Sequence, residues 1–163
     1  MSELKAIVLA AGKGTRMQSE TCHLPKVLRE ACGKPLLHHV LRQLTFVKPE
    51  NTVLVAGYLH EMVEKAFPGY PTALQEPQLG TGHAVQCAKA YLKGFDGTVL
   101  ICYGDMPLLK RSTYESLLET HQREGNACTL LTGTCQWDLP YGRILRGPDG
   151  AFLGVVEDRD CTP

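Results

Sequence analysis

The sequence lacks an excess of charge of one sign, a long hydrophobic run and closely spaced cysteines. Its 17 Lys and Arg residues balance its 17 Asp and Glu residues, which argues against binding nucleic acid or an anionic membrane through bulk electrostatics. The longest apolar run, residues 6–11, spans six residues, far short of the ~20 that cross a bilayer. No basic segment followed by a long apolar one opens the chain, so we expect a cytoplasmic protein without a secretory signal.

The seven cysteines fit neither a zinc site nor a disulfide framework. Their number is odd and no C-x-x-C pair occurs, whereas zinc sites need clustered ligands and secreted frameworks favour even counts. We therefore expect mostly buried, reduced thiols that pack as small apolar side chains, with Cys22 and Cys161 as exceptions in polar surroundings. A thiol-dependent metal or redox protein is the alternative that the cysteine count leaves open.

The 163 residues, 44% of them hydrophobic, suit one domain, residues 1–163. Hydrophobic patterns predict strands and helices in alternation, which indicates an α/β domain with a largely parallel sheet. A capping-box pattern at 112–115 starts one helix and Gly125 ends it. The predicted strands are 4–9, 52–56, 98–102, 127–132, 142–145 and 152–156, and the predicted helices are 36–44, 59–67, 81–92 and 112–124.

Residues 9–17 form a glycine-containing segment directly after the first predicted strand. Ligands of parallel sheets bind beyond the carboxyl ends of the strands, and Gly12 and Gly14 would let backbone N–H groups approach a phosphate. A dinucleotide fingerprint would need glycine where Met17 stands, and the P-loop pattern is absent. Backbone donors followed by Arg16 and Lys26 suit a triphosphate. The alternative is an ordinary tight turn with a solvated arginine.

A second segment, 75–83, follows Leu74. Gln75 and Gln78 present amide edges that can pair with a base, and Gly80 permits close approach to a ring. Thr81 is expected to cap the following helix. His83 could be a general base, but a helix residue without a catalytic part is the interpretation we favour.

The third segment, 103–107, follows the most apolar predicted strand. Gly104 precedes Asp105, whose carboxylate could hold a hydrated Mg²⁺ that binds phosphate oxygens in turn. The alternative is a turn aspartate before proline. Together, the three segments predict a site for a nucleoside triphosphate and Mg²⁺.

Several motifs resemble the sugar-phosphate nucleotidylyltransferases in order along essentially the whole chain. These are the glycine segment at 9–17, PKVL at 25–28, LGTGHA at 79–84, YGD at 103–105 and YGRI at 141–144. The chain is most similar to the uridylyltransferase domains of bacterial bifunctional enzymes that also carry an acetyltransferase. The resemblance implies a Rossmann-like nucleotide-diphospho-sugar transferase fold, a mostly parallel twisted sheet with helices on both faces, truncated at its C-terminus relative to the family and without the acetyltransferase β-helix.

The resemblance also implies a reaction: Mg²⁺-dependent transfer from UTP to N-acetylglucosamine 1-phosphate, giving UDP-N-acetylglucosamine and pyrophosphate. Arg16 would hold the departing pyrophosphate, Lys26 would hold the reacting phosphates, and Asp105 would bind the metal. In the family an asparagine binds the metal together with this aspartate, and that asparagine has no counterpart in this sequence. Residues 18–24 form a longer excursion before Pro25 than is usual in the family. The substrate-binding residues implied are Leu9, Ala10, Ala11 and Gly12, with Gly14, along the nucleotide; Gln75, Gln78, Gly80 and Thr81 around uracil; and Tyr103, Gly104, Gly142 and Glu157 at the sugar.

Two alternatives stay open beside this reaction. The chain could bind a nucleotide or nucleotide sugar without turning it over, or it could be a related guanylyl- or cytidylyltransferase, because the glycine segment is shared among them. The expected partners are therefore UTP and a hexosamine 1-phosphate, with no nucleic acid, no membrane and possible assembly into a homo-oligomer.

Overall fold

A computed structural model of the chain describes residues 3–12, 14, 23–137, 139 and 141–160. The chain divides into two compact units, residues 1–129 and residues 130–163. The strands are β1 Leu4–Leu9, β2 Glu30–Ala31, β3 Lys34–Pro35, β4 Thr52–Ala56, β5 Thr72–Leu74, β6 Thr98–Tyr103, β7 Arg143–Arg146 and β8 Phe152–Val156. The α-helices are α1 Leu36–Gln43, α2 His60–Ala66, α3 Thr81–Cys87 and α4 Arg111–Glu124, and 3₁₀ turns cover Lys26–Leu28, Pro49–Asn51, Lys89–Leu92 and Asp158–Asp160.

The first unit is built on a four-stranded parallel sheet with the strand order β5-β4-β1-β6. In the centre, β1 pairs with β4 on one side and β6 on the other, so that Ile7 lies beside Val53 and Ile101. Ala6, Ile7 and Val8 are fully buried, as expected of a parallel strand covered on both faces. The predicted α/β class and parallel sheet are confirmed.

Helices cover both faces of this sheet, which confirms the predicted arrangement. On one face α1, α2 and α4 pack over Ala6, Val8 and Leu54. On the other face α3 packs over Ile7, Val53 and Val55 through small side chains. The alternation of side chains along each strand sends neighbouring residues into the two different cores, which explains the continuous apolar runs in the sequence.

Three local predictions were wrong. Residues 127–132 form no strand; their apolar residues Leu130 and Leu131 are exposed. The helix predicted over 81–92 ends at Cys87 and continues as a 3₁₀ turn. No capping box forms at 112–115, because α4 starts one residue earlier, and Glu115 pairs instead with Arg111 across one helical turn, 2.7 Å from its Nε.

The cysteines also differ from the prediction. Cys102 is buried and Cys87 is half-buried, but Cys32, Cys128 and Cys135 are exposed. Cys32 is exposed because, with Gly33, it forms the tight turn between the two-residue strands β2 and β3, where both residues have positive φ. Cys22 and Cys161 lie outside the described residues.

The second unit contains the antiparallel hairpin β7–β8. Residues 147–150 connect the two strands, and Gly150 adopts a φ of 80°. Many of its apolar side chains are exposed, including Phe152 and Leu153. No helix in the described part of the chain is both long and apolar enough to cross a bilayer.

Candidate active site

A cleft of about 310 Å³ opens at the carboxyl edge of the sheet in the first unit. The chain runs outward from β1 through β4 to β5 and then returns to β6 on the other side of β1. Strand order reverses at this point, which is where open parallel sheets bind their ligands. The cleft is lined by Leu9, Ala10, Ala11, Gly12, Lys26, Val27, Gln75, Gln78, Gly80, Thr81, Ala84, Tyr103 and Asp105.

The turn after β1 forms the floor of the cleft. Ala10 and Ala11 are almost fully buried, and the Ala10 N–H donates to the Val55 carbonyl at 2.8 Å. Their small side chains leave the backbone close to the cleft, and Gly12 has open space where a Cβ would stand. The main chain, rather than bulky side chains, therefore forms this surface.

Gly104 lies beneath the cleft and joins β6 to the turn after β1. Its N–H donates to the Leu9 carbonyl at 2.9 Å. A Cβ at this position would lie 3.2 Å from Leu37 Cδ1 and 3.3 Å from Val27 Cγ1, closer than most such contacts. Glycine thus permits the tight approach that places the next residue, Asp105, at the cleft.

Lys26 and Asp105 form an ion pair at the charged side of the cleft. Lys26 Nζ donates to Asp105 Oδ2 at 2.6 Å, although 79 residues separate the two along the chain. Lys26 begins a 3₁₀ turn anchored by the buried Val27 and Leu28. The two side chains are 33% and 29% exposed, so an anionic ligand and a cation can reach them.

Gln75 and Gln78 hold the opposite side of the cleft through neutral hydrogen bonds. Gln75 is only 4% exposed, and its Nε2 donates to the Gly80 carbonyl at 2.8 Å. Gln78 Nε2 donates to the Ala11 carbonyl at 2.5 Å. The loop is therefore bonded both to itself and to the turn after β1; we call this region the amide side.

Thr81 does not cap α3 as predicted. The N-cap position is Gly80, with a φ of 100° that favours glycine, and no side chain caps the helix. Thr81 instead lines the cleft, which leaves its hydroxyl available to a ligand.

Sequence reasoning missed Gly57, Val27 and Ala84. Val27 and Ala84 line the cleft but carry no chemical signature. A Cβ at Gly57 would lie 2.5 Å from Gln78 Nε2 and 3.1 Å from Ala11 Cβ, so glycine is what lets Gln78 reach the Ala11 carbonyl. Gly57 directly follows β4, and its place at the carboxyl end of a buried strand is the sequence signal that points to it.

The structure brings most of the predicted site residues together around this cleft. Gly14 is described, with a φ of 63°, but is not among the lining residues. Arg16 and residues 18–22 of the longer excursion lie outside the described residues. Gly142 and Glu157 belong to the second unit, where a Cβ on Gly142 would lie 3.8 Å from Glu157 Oε2; their contact with a sugar stays a prediction.

Comparison with known protein families matches the model described as "MobA-like NTP transferase domain" to residues 6–146. The chain is 45% identical over 159 residues to Bifunctional protein GlmU of Cyanothece sp., a match that covers 96% of this chain and 34% of that protein. It is 44% identical over 162 residues to Bifunctional protein GlmU of Lactobacillus delbrueckii subsp. bulgaricus, covering 99% and 34%. The chain thus spans about a third of the length of these relatives.

Solved structures share the fold at lower identity. Rv0371c from Mycobacterium tuberculosis superposes with a TM-score of 0.59 at 19% identity, covering 75% of this chain and 62% of that one, and the same protein has been solved in complex with manganese. A nucleotidyl transferase from Methanothermobacter thermautotroptrophicus gives a TM-score of 0.55 at 23% identity, covering 71% and 56%. At these identities the likeness establishes the fold alone.

Proposed function

Since the chain belongs to the family of MobA-like NTP transferase domains, we propose that it transfers a nucleoside monophosphate from a nucleoside triphosphate to a sugar phosphate. The proposed substrates are UTP and N-acetylglucosamine 1-phosphate, with UDP-N-acetylglucosamine and pyrophosphate as products. The observation that carries the proposal is that the main-chain floor, the amide side and the Lys26–Asp105 pair all border one cleft at the switch point of the sheet. We place this activity in the cytoplasm, where nucleoside triphosphates are available.

The proposed reaction needs alignment and charge neutralisation more than proton transfer. An oxygen of the sugar phosphate attacks the α-phosphorus, a new P–O bond forms, and the bond to the β-phosphate oxygen breaks with its electron pair leaving on pyrophosphate. The attacking oxygen is already an anion, so no general base is required. Catalysis then rests on in-line positioning and on cations around the phosphates.

Lys26 is proposed to act on the phosphates once a ligand binds. Its ammonium group is paired with Asp105 in the free protein, and an ion pair this exposed contributes only about 0.2–1 kcal/mol. A polyphosphate, with several charges and acceptor oxygens, is a stronger partner for the ammonium. Ligand binding would therefore separate the pair and free the Asp105 carboxylate.

The residues present fit a magnesium ion that is held mainly by the nucleotide. Among the described residues no group of three or more metal-ligating side chains occurs, but Mg²⁺ usually keeps several waters and takes one or two carboxylates plus substrate phosphates. Asp105, partly exposed at the cleft, would supply that carboxylate. Bound there, the ion would neutralise phosphate charge.

The remaining contacts are proposed from the resemblance of the sequence motifs to the family. Leu9, Ala10, Ala11 and Gly12 lie along the nucleotide, and Gln75, Gln78, Gly80 and Thr81 surround the base. Tyr103, Gly104, Gly142 and Glu157 contact the sugar end, and Arg16 holds pyrophosphate. A Glu157→Gln variant tests the second unit's part: we expect a higher KM for the sugar phosphate with an unchanged KM for UTP.

The direct test is to incubate the chain with UTP, N-acetylglucosamine 1-phosphate and Mg²⁺. We expect pyrophosphate and UDP-N-acetylglucosamine in equal amounts, and neither product when the sugar phosphate is omitted or the metal is chelated. Parallel reactions with CTP, GTP and ATP test the base. If calorimetry detects binding of a triphosphate but no product forms, the chain is a nucleotide-binding module and not a transferase. If none of the four triphosphates binds, both hypotheses are contradicted.

A further inference from the structure

The side-chain amide of Gln75 is held in one orientation by two acceptors. Its Nε2 donates to the Gly80 carbonyl at 2.8 Å and lies 3.3 Å from His83 Nδ1. A primary amide carries two N–H donors and one carbonyl acceptor, so these contacts engage both of its hydrogens. No hydrogen bond within the described part of the chain uses Oε1, which is therefore the group that Gln75 can offer to a ligand in the cleft.

In this arrangement His83 Nδ1 is the acceptor, because Gln75 Nε2 carries only donors. Nδ1 must keep its lone pair to accept from Gln75, since a proton there would set two donors face to face. Nε2 lies 3.9 Å from Cys87 Sγ, and the thiol can accept weakly from an N–H. Residues four apart share one face of a helix, so α3 places Cys87 beside the ring of His83.

Burial leaves the side-chain amide of Gln75 few alternative hydrogen-bond partners. Among the described residues, Gln75 and Thr52 are the buried polar side chains, and a buried amide that loses a partner bears the desolvation cost of that group. The Gln75 N–H also donates to the Ala56 carbonyl at 2.7 Å, which extends the pairing of β4 and β5. The backbone is thus fixed, and rotation of the amide is the remaining freedom.

We propose that His83 is a positioning residue that determines base specificity by keeping the carbonyl oxygen of Gln75 turned toward the bound base. An acceptor there favours a base whose pairing edge presents a ring N–H, as uracil does at N3, over cytosine, whose N3 is itself an acceptor. Sites built to bond one polar group reject an analogue that lacks it, because buried groups are then left unpaired. The inference rests on the proposed function, since it requires that the cleft bind a pyrimidine nucleotide.

The test compares His83→Leu with His83→Asn in the full chain. Leucine removes the acceptor, whereas Asn can place Oδ1 where His83 Nδ1 stands and so can still accept from Gln75. Calorimetric titration with UTP and with CTP, each with Mg²⁺, gives the ratio of the two affinities. We expect His83→Leu to reduce the parent's preference for UTP by about fivefold, the size of one neutral hydrogen bond, and His83→Asn to stay within about twofold of the parent.

The affinity ratio separates positioning from a general structural role. Loosening of the cleft would weaken both nucleotides alike and leave the ratio unchanged, and an unchanged ratio in His83→Leu overturns the inference. Equal loss in the two variants, or a parent that does not distinguish UTP from CTP, overturns it as well. A parent that binds no nucleoside triphosphate contradicts the proposed function itself, which keeps the two failures distinct.

Discussion

The two sides of the cleft hold their ligand-facing groups in opposite ways. On the amide side, Gln75 is nearly inaccessible and its nitrogen is engaged by Gly80 and His83. On the charged side, Lys26 and Asp105 keep about a third of their surface exposed and bond to each other. One side is thus prepared before any ligand arrives, and the other must exchange partners when a ligand binds.

Because of this difference, the amide side is suited to selecting the base and the charged side to neutralising the phosphates. Rotating a buried amide away from its acceptors costs the desolvation of that group, about 1–3 kcal/mol, so the amide side can discriminate between bases. Separating a partly exposed ion pair costs less, so the charged side can open readily for phosphates.

Removing the charge of Asp105 should have the largest effect. In Asp105→Asn the size and shape of the side chain are kept, and we expect turnover to fall about 100- to 1000-fold, as when other groups that stabilise charge in the transition state are removed. Nucleotide affinity should also lose its dependence on Mg²⁺. Thermal unfolding serves as the folding control; turnover and metal dependence like those of the parent would rule Asp105 out as a metal ligand.

Replacing Lys26 should have opposite effects on the binding of two ligands: UTP, which Lys26 is proposed to contact, and a metal ion at Asp105, which Lys26 pairs with in the free protein. In Lys26→Met we expect UTP to bind about 10- to 150-fold more weakly, because a charged hydrogen bond worth about 1.5–3 kcal/mol is lost. Binding of Mn²⁺ without nucleotide should instead tighten by up to about fivefold, since Asp105 no longer has a competing cation. Paramagnetic relaxation measures the metal, and Lys26→Arg is the matched control. Weaker Mn²⁺ binding in Lys26→Met would contradict the proposed competition.

Adding a methyl group at Gly57 should damage the amide side alone. The new Cβ would lie 2.5 Å from Gln78 Nε2, so Gly57→Ala should displace this amide and destabilise the fold by about 0.5–1.5 kcal/mol, because its hydrogen bond to the Ala11 carbonyl is lost. The control is Gly69→Ala, where nothing lies within 4 Å of the new Cβ. Urea unfolding measures the stability, and in Gly57→Ala the Mn²⁺ affinity should stay at the parental value. Equal stability of the two variants would contradict this packing.

The smallest effect concerns Cys102, on the strand that leads to the charged side. Burial raises the pKa of its thiol from 9.0 to about 12, against a smaller lowering by the Tyr114 hydroxyl. The folded state therefore keeps a proton that the unfolded chain releases, so this contribution to stability is full below pH 9 and is lost as the pH rises toward 12. Between pH 9 and pH 10 the loss from this group is about 1 kcal/mol.

Urea unfolding across this pH range measures the loss. In Cys102→Ala the fall should be shallower, although Tyr114, whose pKa burial also raises, contributes in the same direction. At pH 8 a thiol reagent should label Cys32, Cys128 and Cys135 in the folded protein but not Cys102, because the former are exposed and the latter is buried. Rapid labelling of Cys102 before unfolding would contradict the assigned burial.

Sequence patterns predicted the sheet because its strands carry an unusually clear signal. Apart from Lys5 near the start of β1 and Thr52 at the start of β4, both strands are apolar, as expected of strands covered on both faces. Residues 127–132 carry a similar composition without forming a strand, because composition cannot reveal whether a neighbouring strand is available to pair. The two-residue strands β2 and β3 are too short for any periodicity to show.

The site residues were predictable where reactive or hydrogen-bonding side chains directly follow a strand. Lys26 and Asp105 were expected to meet, since both were assigned to one polyphosphate, but their direct pairing is a tertiary contact that no local pattern encodes. The bond from Gln75 to His83 likewise depends on how the loop folds back on α3. The sequence therefore predicts which side chains belong to the site, whereas their hydrogen-bond and ion-pair partners are known only from the structure.

The order of the strands along the chain has a consequence for synthesis on the ribosome. β6 is the last strand to join the sheet, beside β1, the first. A nascent chain that has emerged only as far as β5 already carries Lys26 and Gln75 but lacks the carboxylate that Lys26 pairs with. Affinity for a metal–nucleotide complex should therefore arise late and abruptly as the growing chain lengthens past residue 105.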